Sequence, residues 1–150
     1  MVGRLKAVLQ RVTKARVSVA GETVAKIGSG LLIFLGVVRS DTKETAEWMA
    51  RKTLSIRIFA DGGQAMNRSV IDVAGSLLVV SQFTLVAETR RGNRPSYSSA
   101  AESADAERLY EHYVETLRRE TNQVETGSFG SDMRVALEND GPVTILLDHA

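Results

Sequence analysis

The sequence contains no cysteine, and its 150 residues include only two histidines and two prolines. The absence of thiols excludes disulfide bonds, cysteine nucleophiles and cysteine metal ligands. His112 and His149 have no partners at metal-ligand spacing, so we predict that both are solvated surface residues and that the protein holds no metal. Gly28-Ser29-Gly30 lacks the spacing of a dinucleotide-binding loop and is interpreted as a strand-to-strand turn, so no cofactor is expected.

Long apolar stretches and an excess of charge are also missing. The longest apolar run, Leu31–Val38, is far shorter than the ~20 residues needed to cross a bilayer. The segment Met1–Val12 carries Arg4, Lys6 and Arg11 among its apolar residues, unlike a signal peptide. We therefore expect a cytoplasmic protein without a membrane partner. Nineteen basic against eighteen acidic residues give a net charge of +1, so only a local patch can attract a polyanion.

The apolar residues make up 43% of the chain, which is enough for one hydrophobic core, and we predict a single domain over residues 1–150. Leu31–Val38 and Leu77–Val80 are apolar at nearly every position, as is typical of central strands buried on both faces. Alternating segments near both ends of the chain predict further strands. With two predicted helices, the pattern indicates an α+β fold with a mixed, largely antiparallel sheet or a barrel-like β core.

The two helices are predicted from capping residues and apolar spacing. Asp41 followed by Glu44 resembles a capping box, and the spacing beyond it predicts a helix from about Thr42 to Leu54. Ser98 or Ser99 is expected to cap a longer helix, in which apolar residues recur at i, i+3, i+4 and i+7. These apolar residues are Ala106, Leu109, Tyr110, Tyr113, Val114 and Leu117.

Two polar segments are the strongest functional candidates. Ser81-Gln82-Phe83-Thr84 closes a buried strand, and Asn139-Asp140-Gly141-Pro142-Val143-Thr144 precedes the last strand. Taken alone, the first segment is better explained as a strand end whose hydroxyls satisfy backbone groups, and a hairpin turn is a strong explanation of the second. Neither segment contains a general base. Any catalysis here must therefore use backbone groups, a hydroxyl or the substrate itself.

A basic stretch follows the first segment in what we predict to be a loop. Arg90, Arg91 and Arg94 supply three guanidinium groups that can hold phosphates with bidentate geometry. A solvated loop is an equally good interpretation of this composition. Tyr97 nearby has the side chain to stack on a base, although a single tyrosine is more often a packing residue.

Segments along nearly the whole chain stand in a recognisable order: Leu9–Val12, Gly30–Leu32, Leu35–Val37, Arg57–Phe59, Met66–Asn67, Leu78–Leu85, Arg94–Ser96, Val124–Gly127, Asp132–Met133 and Asn139–Thr144. In this order they resemble the D-aminoacyl-tRNA deacylase family of the bacterial and eukaryotic type. The Ser-Gln-Phe-Thr and Gly-Pro segments together, at this separation, are highly specific for that family, and neither departs from its pattern. The stretch from Ala100 to Asn122 is matched only in helical character.

The resemblance implies a homodimeric cytoplasmic hydrolase that removes D-amino acids from mischarged tRNA, with no cofactor and no DNA or membrane partner. In that family the Gly-Pro peptide bond is cis and enters the active site of the partner subunit. Gly141 and Pro142 are therefore expected to select the configuration at the α-carbon of the substrate. A filter that excludes L side chains sterically would also admit tRNA charged with glycine.

The same resemblance assigns roles to individual residues. The catalytic segment comprises Ser81, Gln82, Phe83 and Thr84, of which Ser81 and Gln82 are expected to shape the adenosine pocket. The remaining expected substrate-binding residues are Phe129 and Met133, which would line that pocket, and Arg11, which would brace the Gly-Pro loop.

An aminoacyl ester is already activated, and the terminal ribose offers a 2′-hydroxyl that can help to deliver water. Backbone N–H groups near Phe83 and Thr84 are the expected oxyanion donors, and we favour a positioning role for the Thr84 hydroxyl over a nucleophilic one. Two alternatives stay open. One is a non-catalytic module that binds the tRNA acceptor end, and the other is an editing domain for L-aminoacyl-tRNA.

Overall fold

The computed structural model describes residues 4–149. The strands are β1 (Lys6–Val19), β2 (Glu22–Ile27), β3 (Gly30–Gly36), β4 (Ser76–Ser81), β5 (Val124–Thr126) and β6 (Arg134–Asp148). Two helices, α1 (Lys43–Ser55) and α2 (Ser103–Arg118), and a short 3-10 turn at Phe83–Val86 complete the regular structure of these residues. This confirms the predicted α+β class with two main helices.

The sheet is mixed and is organised around β1. That strand pairs antiparallel with β2, β3 and β6, whereas β3 pairs with β4, and β4 with β5, in parallel. β2 and β3 continue one another along the same edge of β1, since Ala15 faces Ile27 and Val12 faces Gly30. Gly28 therefore connects two strands, as predicted, but it does so in a bend between collinear strands and not in a turn that reverses the chain.

The sheet curves enough to enclose a core on its concave side, which gives it a barrel-like form. β2 lies close to β4 and β5 although it pairs with neither of them. Leu32, Leu78, Val80, Val12 and Val17 are all at most 1% exposed and pack together inside the curve. The other face of the sheet packs against the helices, so successive residues of β3 and β4 are buried on opposite sides, as the unbroken apolar runs predict.

The helices cover the convex face of the sheet. Leu31, Ile33, Leu77 and Val79 point to this side and contact a large cluster of helix residues. That cluster includes Ala46, Met49, Ala50, Leu109, Tyr113, Val114 and Leu117. Because these side chains are removed from water when the helices pack on the sheet, the interface stabilises the fold.

The first helix starts at a different cap from the one predicted. Thr42 caps α1 by accepting a hydrogen bond from the N–H of Thr45, while the Thr45 hydroxyl accepts from the N–H of Thr42. Asp41 instead accepts from the N–H groups of Leu5 (2.9 Å) and Val38 (2.8 Å), which ties the first strand to the end of β3. Burial of this carboxyl raises its pKa.

The second helix starts later than predicted. Neither Ser98 nor Ser99 caps α2, which begins at Ser103 with Glu102 at the cap position. Ser98 and Ser99 instead lie in a turn closed by the N–H of Ala100, which donates to the carbonyl of Tyr97 (3.0 Å). The next residue bonds to the chain after β3, because the N–H of Ala101 donates to the carbonyl of Val37 (3.1 Å). Tertiary hydrogen bonding thus delays the helix.

Both histidines contact other side chains, whereas the sequence predicted solvated surface residues. His112 Nε2 lies 2.9 Å from the carboxylate of Glu47, where it joins α2 to α1, and its side chain is 15% exposed. This contact lowers the pKa of Glu47. The ring of His149 packs edge-on against Trp48 with centroids 4.7 Å apart.

Candidate active site

A cleft of about 560 Å³ opens where the parallel strands β3 and β4 end. Crevices outside the carboxyl ends of parallel strands are frequent ligand sites in open sheets. Here the walls come from the strand ends, the start of α2 and the segment between β5 and β6. The lining residues include Leu35, Val37, Ser81, Gln82, Phe83, Ala101, Ser103, Ala106, Phe129, Asp132, Met133 and Val135.

Ser81, Gln82 and Phe83 of the predicted segment line this cleft, and Thr84, the next residue, is not among its lining residues. The strand ends at Ser81, and the N–H of Gln82 donates to the carbonyl of Leu35 at 2.8 Å, which anchors the turn to β3. Gln82 Nε2 donates to the hydroxyl of Thr84 at 2.5 Å, so the amide holds that side chain. Within residues 4–149, the N–H groups of Phe83 and Thr84 donate to no acceptor. They are two free donors at the edge of the site.

Phe129 and Met133 also line the cleft. The ring of Phe129 packs against Tyr110 with centroids 5.6 Å apart, and the hydroxyl of Tyr110 donates to the carbonyl of Val79 at 2.8 Å. Burial raises the pKa of Tyr110, so the phenol stays protonated and does not act as a base at neutral pH. Met133 fits because residue 127 is glycine: a Cβ there would lie 2.9 Å from its sulfur.

Several lining residues were not predicted. Ala101, Ser103 and Ala106 form the wall at the start of α2, and small residues carry no chemical signal by which sequence alone could find them. Asp132, an exposed residue, is the one carboxylate among the described residues that line the cleft. It lies in one of the segments that resemble the family, where no role was predicted for it. Among the described lining residues there is no histidine, lysine or arginine.

The Gly141–Pro142 segment forms a bulge in the middle of β6. Val12 pairs with Asn139 and Gln10 pairs with Thr144, so the single residue Arg11 faces four residues, 140–143. Both halves of β6 pair with the same strand in the same direction, and the hairpin turn that the sequence allowed here is therefore wrong. The peptide bond between Gly141 and Pro142 is cis.

The bulge is held by side-chain hydrogen bonds at its base. Asn139 Oδ1 accepts from the N–H of Val143 at 2.7 Å, and its amide donates to the hydroxyl of Thr144 at 3.1 Å. Arg11 donates through Nε to the carbonyl of Asp140 (3.0 Å) and through Nη1 to the carbonyl of Ile58 (2.8 Å). Its guanidinium therefore connects the bulge to the body of the protein.

Gly141 and Pro142 are both exposed, and neither lines the cleft of its own chain. Within one chain, then, the structure brings together Ser81, Gln82, Phe83, Phe129 and Met133 but leaves the bulge outside. Arg11 contacts the bulge and not the cleft.

The arginine loop reaches the lip of the cleft through an aromatic pair. Phe83 and Tyr97 are 56% and 38% exposed, and their rings meet edge to face at 5.0 Å. Glu88 and Ser96 form a bridge that closes the loop between them. Three arginines project from it, and they are Arg90, Arg91 and Arg94. The Nε of Arg90 lies 3.7 Å from a carboxylate oxygen of Glu88, a weak exposed pair.

Over the part of the chain that the structure describes, no group of three or more histidine, aspartate or glutamate side chains is arranged to hold a metal ion. No helix within residues 4–149 is both long enough and apolar enough to span a membrane.

Known proteins match this chain over nearly its full length. The model of a family described as D-Tyr-tRNA(Tyr) deacylase matches residues 8–148. Two curated proteins named D-aminoacyl-tRNA deacylase, from Thermosipho melanesiensis and Chlorobaculum parvum, are each 52% identical over 145 residues. Each of these matches covers 96% of this chain and 97% of the relative.

Two solved structures share the fold. One, a c-Myc DNA unwinding element binding protein, is 41% identical and superposes with a TM-score of 0.92, covering 97% of this chain and 99% of that chain. The other, described as a probable eukaryotic D-amino acid tRNA deacylase, has a TM-score of 0.86 over 97% of this chain and 100% of that chain. At 16% identity, the second supports the fold alone. The family model spans both the cleft segment and the bulge, and relatives with about half of their residues identical match over nearly the full length. This chain therefore belongs to the D-Tyr-tRNA(Tyr) deacylase family.

Proposed function

We propose that this protein hydrolyses the ester bond of D-aminoacyl-tRNA in the cytoplasm and releases the free D-amino acid and reusable tRNA. The observation that carries the proposal is the cleft itself. Phe83, whose N–H is unpaired, lines a pocket of about 560 Å³, a size usual for small-molecule sites, and the unpaired N–H of Thr84 belongs to the next residue. Family membership supplies the substrate class.

The reaction needs little from side chains. An attacking water must lose a proton, and the vicinal 2′-hydroxyl of the terminal ribose can assist that step within the bound substrate. The N–H groups of Phe83 and Thr84 would donate to the oxyanion that forms on the ester carbonyl, a contribution usually of about 3 kcal/mol per donor. Ser81, Gln82, Phe129 and Met133 would hold the adenosine and the amino acid in place.

The proposed active unit is a homodimer in which each bulge enters the cleft of the other subunit. Support comes from the position of Gly141 and Pro142, which are exposed and outside the cleft of their own chain. Leu146, in the same strand, is 77% exposed, which a subunit contact would explain. The backbone carbonyls of the bulge would then form a wall that admits the D-configured side chain and excludes the L-configured one.

The arginine loop is proposed to contact the tRNA near its acceptor end. Arg90, Arg91 and Arg94 are exposed guanidinium groups that can hold phosphates, and the loop carrying them reaches the cleft through the Phe83–Tyr97 pair. Such contacts position the substrate without reading its sequence.

Comparing hydrolysis of D-tyrosyl-tRNA and L-tyrosyl-tRNA by the purified protein tests the proposal. We expect release of D-tyrosine and retention of the L-ester. A module that only binds the acceptor end would leave both esters intact, and an editing domain for L-amino acids would hydrolyse the L-ester. Either of these results would contradict the proposal.

Thr84→Ala is expected to retain hydrolysis of D-tyrosyl-tRNA within about tenfold of the unmodified protein, because the hydroxyl is held by Gln82 and only positions the substrate. Loss of a true nucleophile costs about 10⁴-fold or more. The measurement is single-turnover release of labelled D-tyrosine. Thr84→Ser is the matched control and should be close to the unmodified protein. Asp132→Asn, which removes the negative charge of a residue that lines the cleft, should also change the rate little.

Glycyl-tRNA is expected to be hydrolysed, more slowly than D-alanyl-tRNA and faster than L-alanyl-tRNA. Glycine has no side chain for a backbone wall to exclude, but it also gains no contacts from one. The three esters are compared on the same enzyme preparation, with alanine chosen because it differs from glycine by a single methyl group. A glycyl ester that resists hydrolysis completely would argue against a purely steric filter.

A further inference from the structure

The three-stranded region where β1 pairs with both β2 and β6 carries a row of cations on one face. Arg16 faces Lys26 on one side and Ala136 on the other, so these three side chains share a face of the sheet. Lys14 and Arg134 lie two residues along their strands on that same face. All four cations are exposed, and none forms an ion pair within residues 4–149. We call Lys14, Arg16, Lys26 and Arg134 the basic ribbon.

Like charges that face one another across paired strands are destabilising. Arg16 and Lys26 have this arrangement, and no carboxylate of the described chain pairs with either of them. Glu138 faces Lys14 across the strands, but its carboxylate accepts a hydrogen bond from the hydroxyl of Thr13 at 2.5 Å. The carboxylate of Glu138 keeps its negative charge and offsets one of the four cations, so the ribbon retains a net positive charge in a protein whose net charge is only +1.

A groove of about 330 Å³ runs between the cations of the ribbon. Lys14, Arg16 and Lys26 line it together with Ile27, Ala136 and Leu137. Residues i and i+2 of a strand lie about 7 Å apart, and facing residues about 5 Å apart. This spacing is of the order of that between successive phosphates along one nucleic-acid strand.

The ribbon begins at the wall of the cleft. Met133 and Val135 line the cleft, and Arg134 between them is exposed on the opposite face. On the other side of the cleft, α2 carries three carboxylates at helical spacing, Glu107, Glu111 and Glu115. They line a groove of about 510 Å³ that shares Phe129 with the cleft. The cleft thus lies between a positive and a negative surface.

We propose that the basic ribbon is a docking surface for the phosphate backbone of the tRNA acceptor stem, which crosses Lys14, Arg16, Lys26 and Arg134 and avoids the carboxylates of α2. This inference rests on the proposed function, because the stem must lie outside a cleft that holds only the charged 3′ end. Contacts of this kind bind phosphates whatever the sequence, and they weaken at higher salt because the counterions that binding releases from the nucleic acid then enter a more concentrated solution. The ribbon would orient the stem, while the arginine loop contacts the tRNA at the lip of the cleft.

The test combines a charge-removal variant with a matched control. In the ribbon variant, Lys14→Gln, Arg16→Gln and Lys26→Gln are combined. In the control, Lys43→Gln, Arg51→Gln and Arg119→Gln remove the same charge from exposed positions in α1 and at the end of α2. Binding of an uncharged acceptor-stem minihelix that ends in CCA is measured by fluorescence anisotropy between 50 and 200 mM KCl. Hydrolysis of the D-tyrosyl ester of adenosine, which has no stem, is measured in parallel.

For the ribbon variant we expect minihelix binding weakened by about tenfold or more at 100 mM KCl and a salt slope reduced by about two to three. Hydrolysis of the adenosine ester should stay within about twofold of the unmodified protein, and the control variant should bind the minihelix normally. If the triple variant does not fold, Arg16→Gln and Lys26→Gln are measured singly, and each should lower the slope by about one.

Equal losses in the ribbon and control variants would overturn the proposal, since net charge alone would then explain them. Tighter binding of duplex DNA of the same length than of the minihelix, through these residues, would also overturn it. So would a change in the sedimentation mass of the ribbon variant, because the ribbon would then be a contact between subunits. Failure of the unmodified protein to hydrolyse the adenosine ester and D-tyrosyl-tRNA would instead contradict the proposed function and is distinguishable from all of these results.

Discussion

Gly141→Ala is expected to reduce the ratio of D- to L-tyrosyl-tRNA hydrolysis by at least tenfold, equivalent to about 1.4 kcal/mol of discrimination. Gly141 has φ +132°, in a region that side chains rarely adopt. A Cβ at this position would lie 2.9 Å from Nη2 of Arg11 and 2.9 Å from a methyl group of Val143. The bulge must therefore move, and with it the carbonyls proposed to exclude the L side chain.

The control for this variant is another glycine with positive φ. Gly21 has φ +84° in the turn between β1 and β2, and a Cβ there would meet nothing within 4 Å. Gly21→Ala should therefore lower the free energy of unfolding by about 1–3 kcal/mol through backbone strain while leaving the D-to-L ratio unchanged. Initial rates on both esters are measured for the two variants. If Gly141→Ala discriminated as well as the unmodified protein, the bulge would have no part in selectivity.

Gly30→Ala should have the largest effect on stability. Gly30 begins β3 beside Ser76 of β4 with φ +157°, and a Cβ on it would lie 1.8 Å from the carbonyl oxygen of Ser76. That atom belongs to the backbone of the central parallel pair, so the strands must separate to make room. We expect a loss of about 4 kcal/mol or more, out of a total of about 5–15 kcal/mol for an ordinary domain.

Thermal unfolding followed by circular dichroism measures this loss. For a chain of this size, 4 kcal/mol corresponds to a fall in Tm of roughly 10–15 °C. Gly28→Ala, two residues earlier in the same bend, is the matched control, because a Cβ there meets nothing within 4 Å. Its Tm should lie within about 2 °C of that of the unmodified protein. Equal Tm values for the two variants would mean that the strand pair at Gly30 is not as close as the structure has it.

The strands and helices that depend on burial were predictable from the sequence. Leu31–Val38 and Leu77–Val80 are apolar at almost every position because both faces of β3 and β4 are covered, one by helices and one by the curved sheet. The spacing of Leu109, Tyr113 and Leu117 predicts the face of α2 that packs on α1 and the sheet. In each case the apolar pattern within a short segment reflects which of its faces are buried.

Positions set by long-range hydrogen bonds were not predictable in the same way. The start of α2 moved from Ser98 or Ser99 to Ser103, because the N–H of Ala101 bonds to Val37 instead of starting a helix. The Asn139–Thr144 segment is a bulge and not a turn because both halves of β6 pair with β1. Nothing within those six residues specifies what lies opposite them.

The residues of the candidate site likewise include some that were predictable from the sequence and some that were not. Ser81, Gln82, Phe129 and Met133 were expected at the site and do line one cleft. Ala101 and Ala106 of its wall could not be found from sequence, because alanine has no functional group and only its small size matters there. Asp132 enters the cleft because its segment follows β5 past the ends of β3 and β4, a placement that depends on the sheet order.

By itself, the sequence determined the chemistry available to this protein: no thiol, few histidines, one polar segment at a strand end and one Gly-Pro step, in an order that identifies a family. Only the tertiary structure decided where those groups stand. It left the N–H groups of Phe83 and Thr84 unpaired at a cleft and placed the Gly-Pro bulge outside it. It also aligned Arg16 with Lys26 across two strands. The physical reason is that side-chain identity and hydrophobic period are local properties, whereas pairing register, curvature and backbone hydrogen bonding depend on residues distant in the chain.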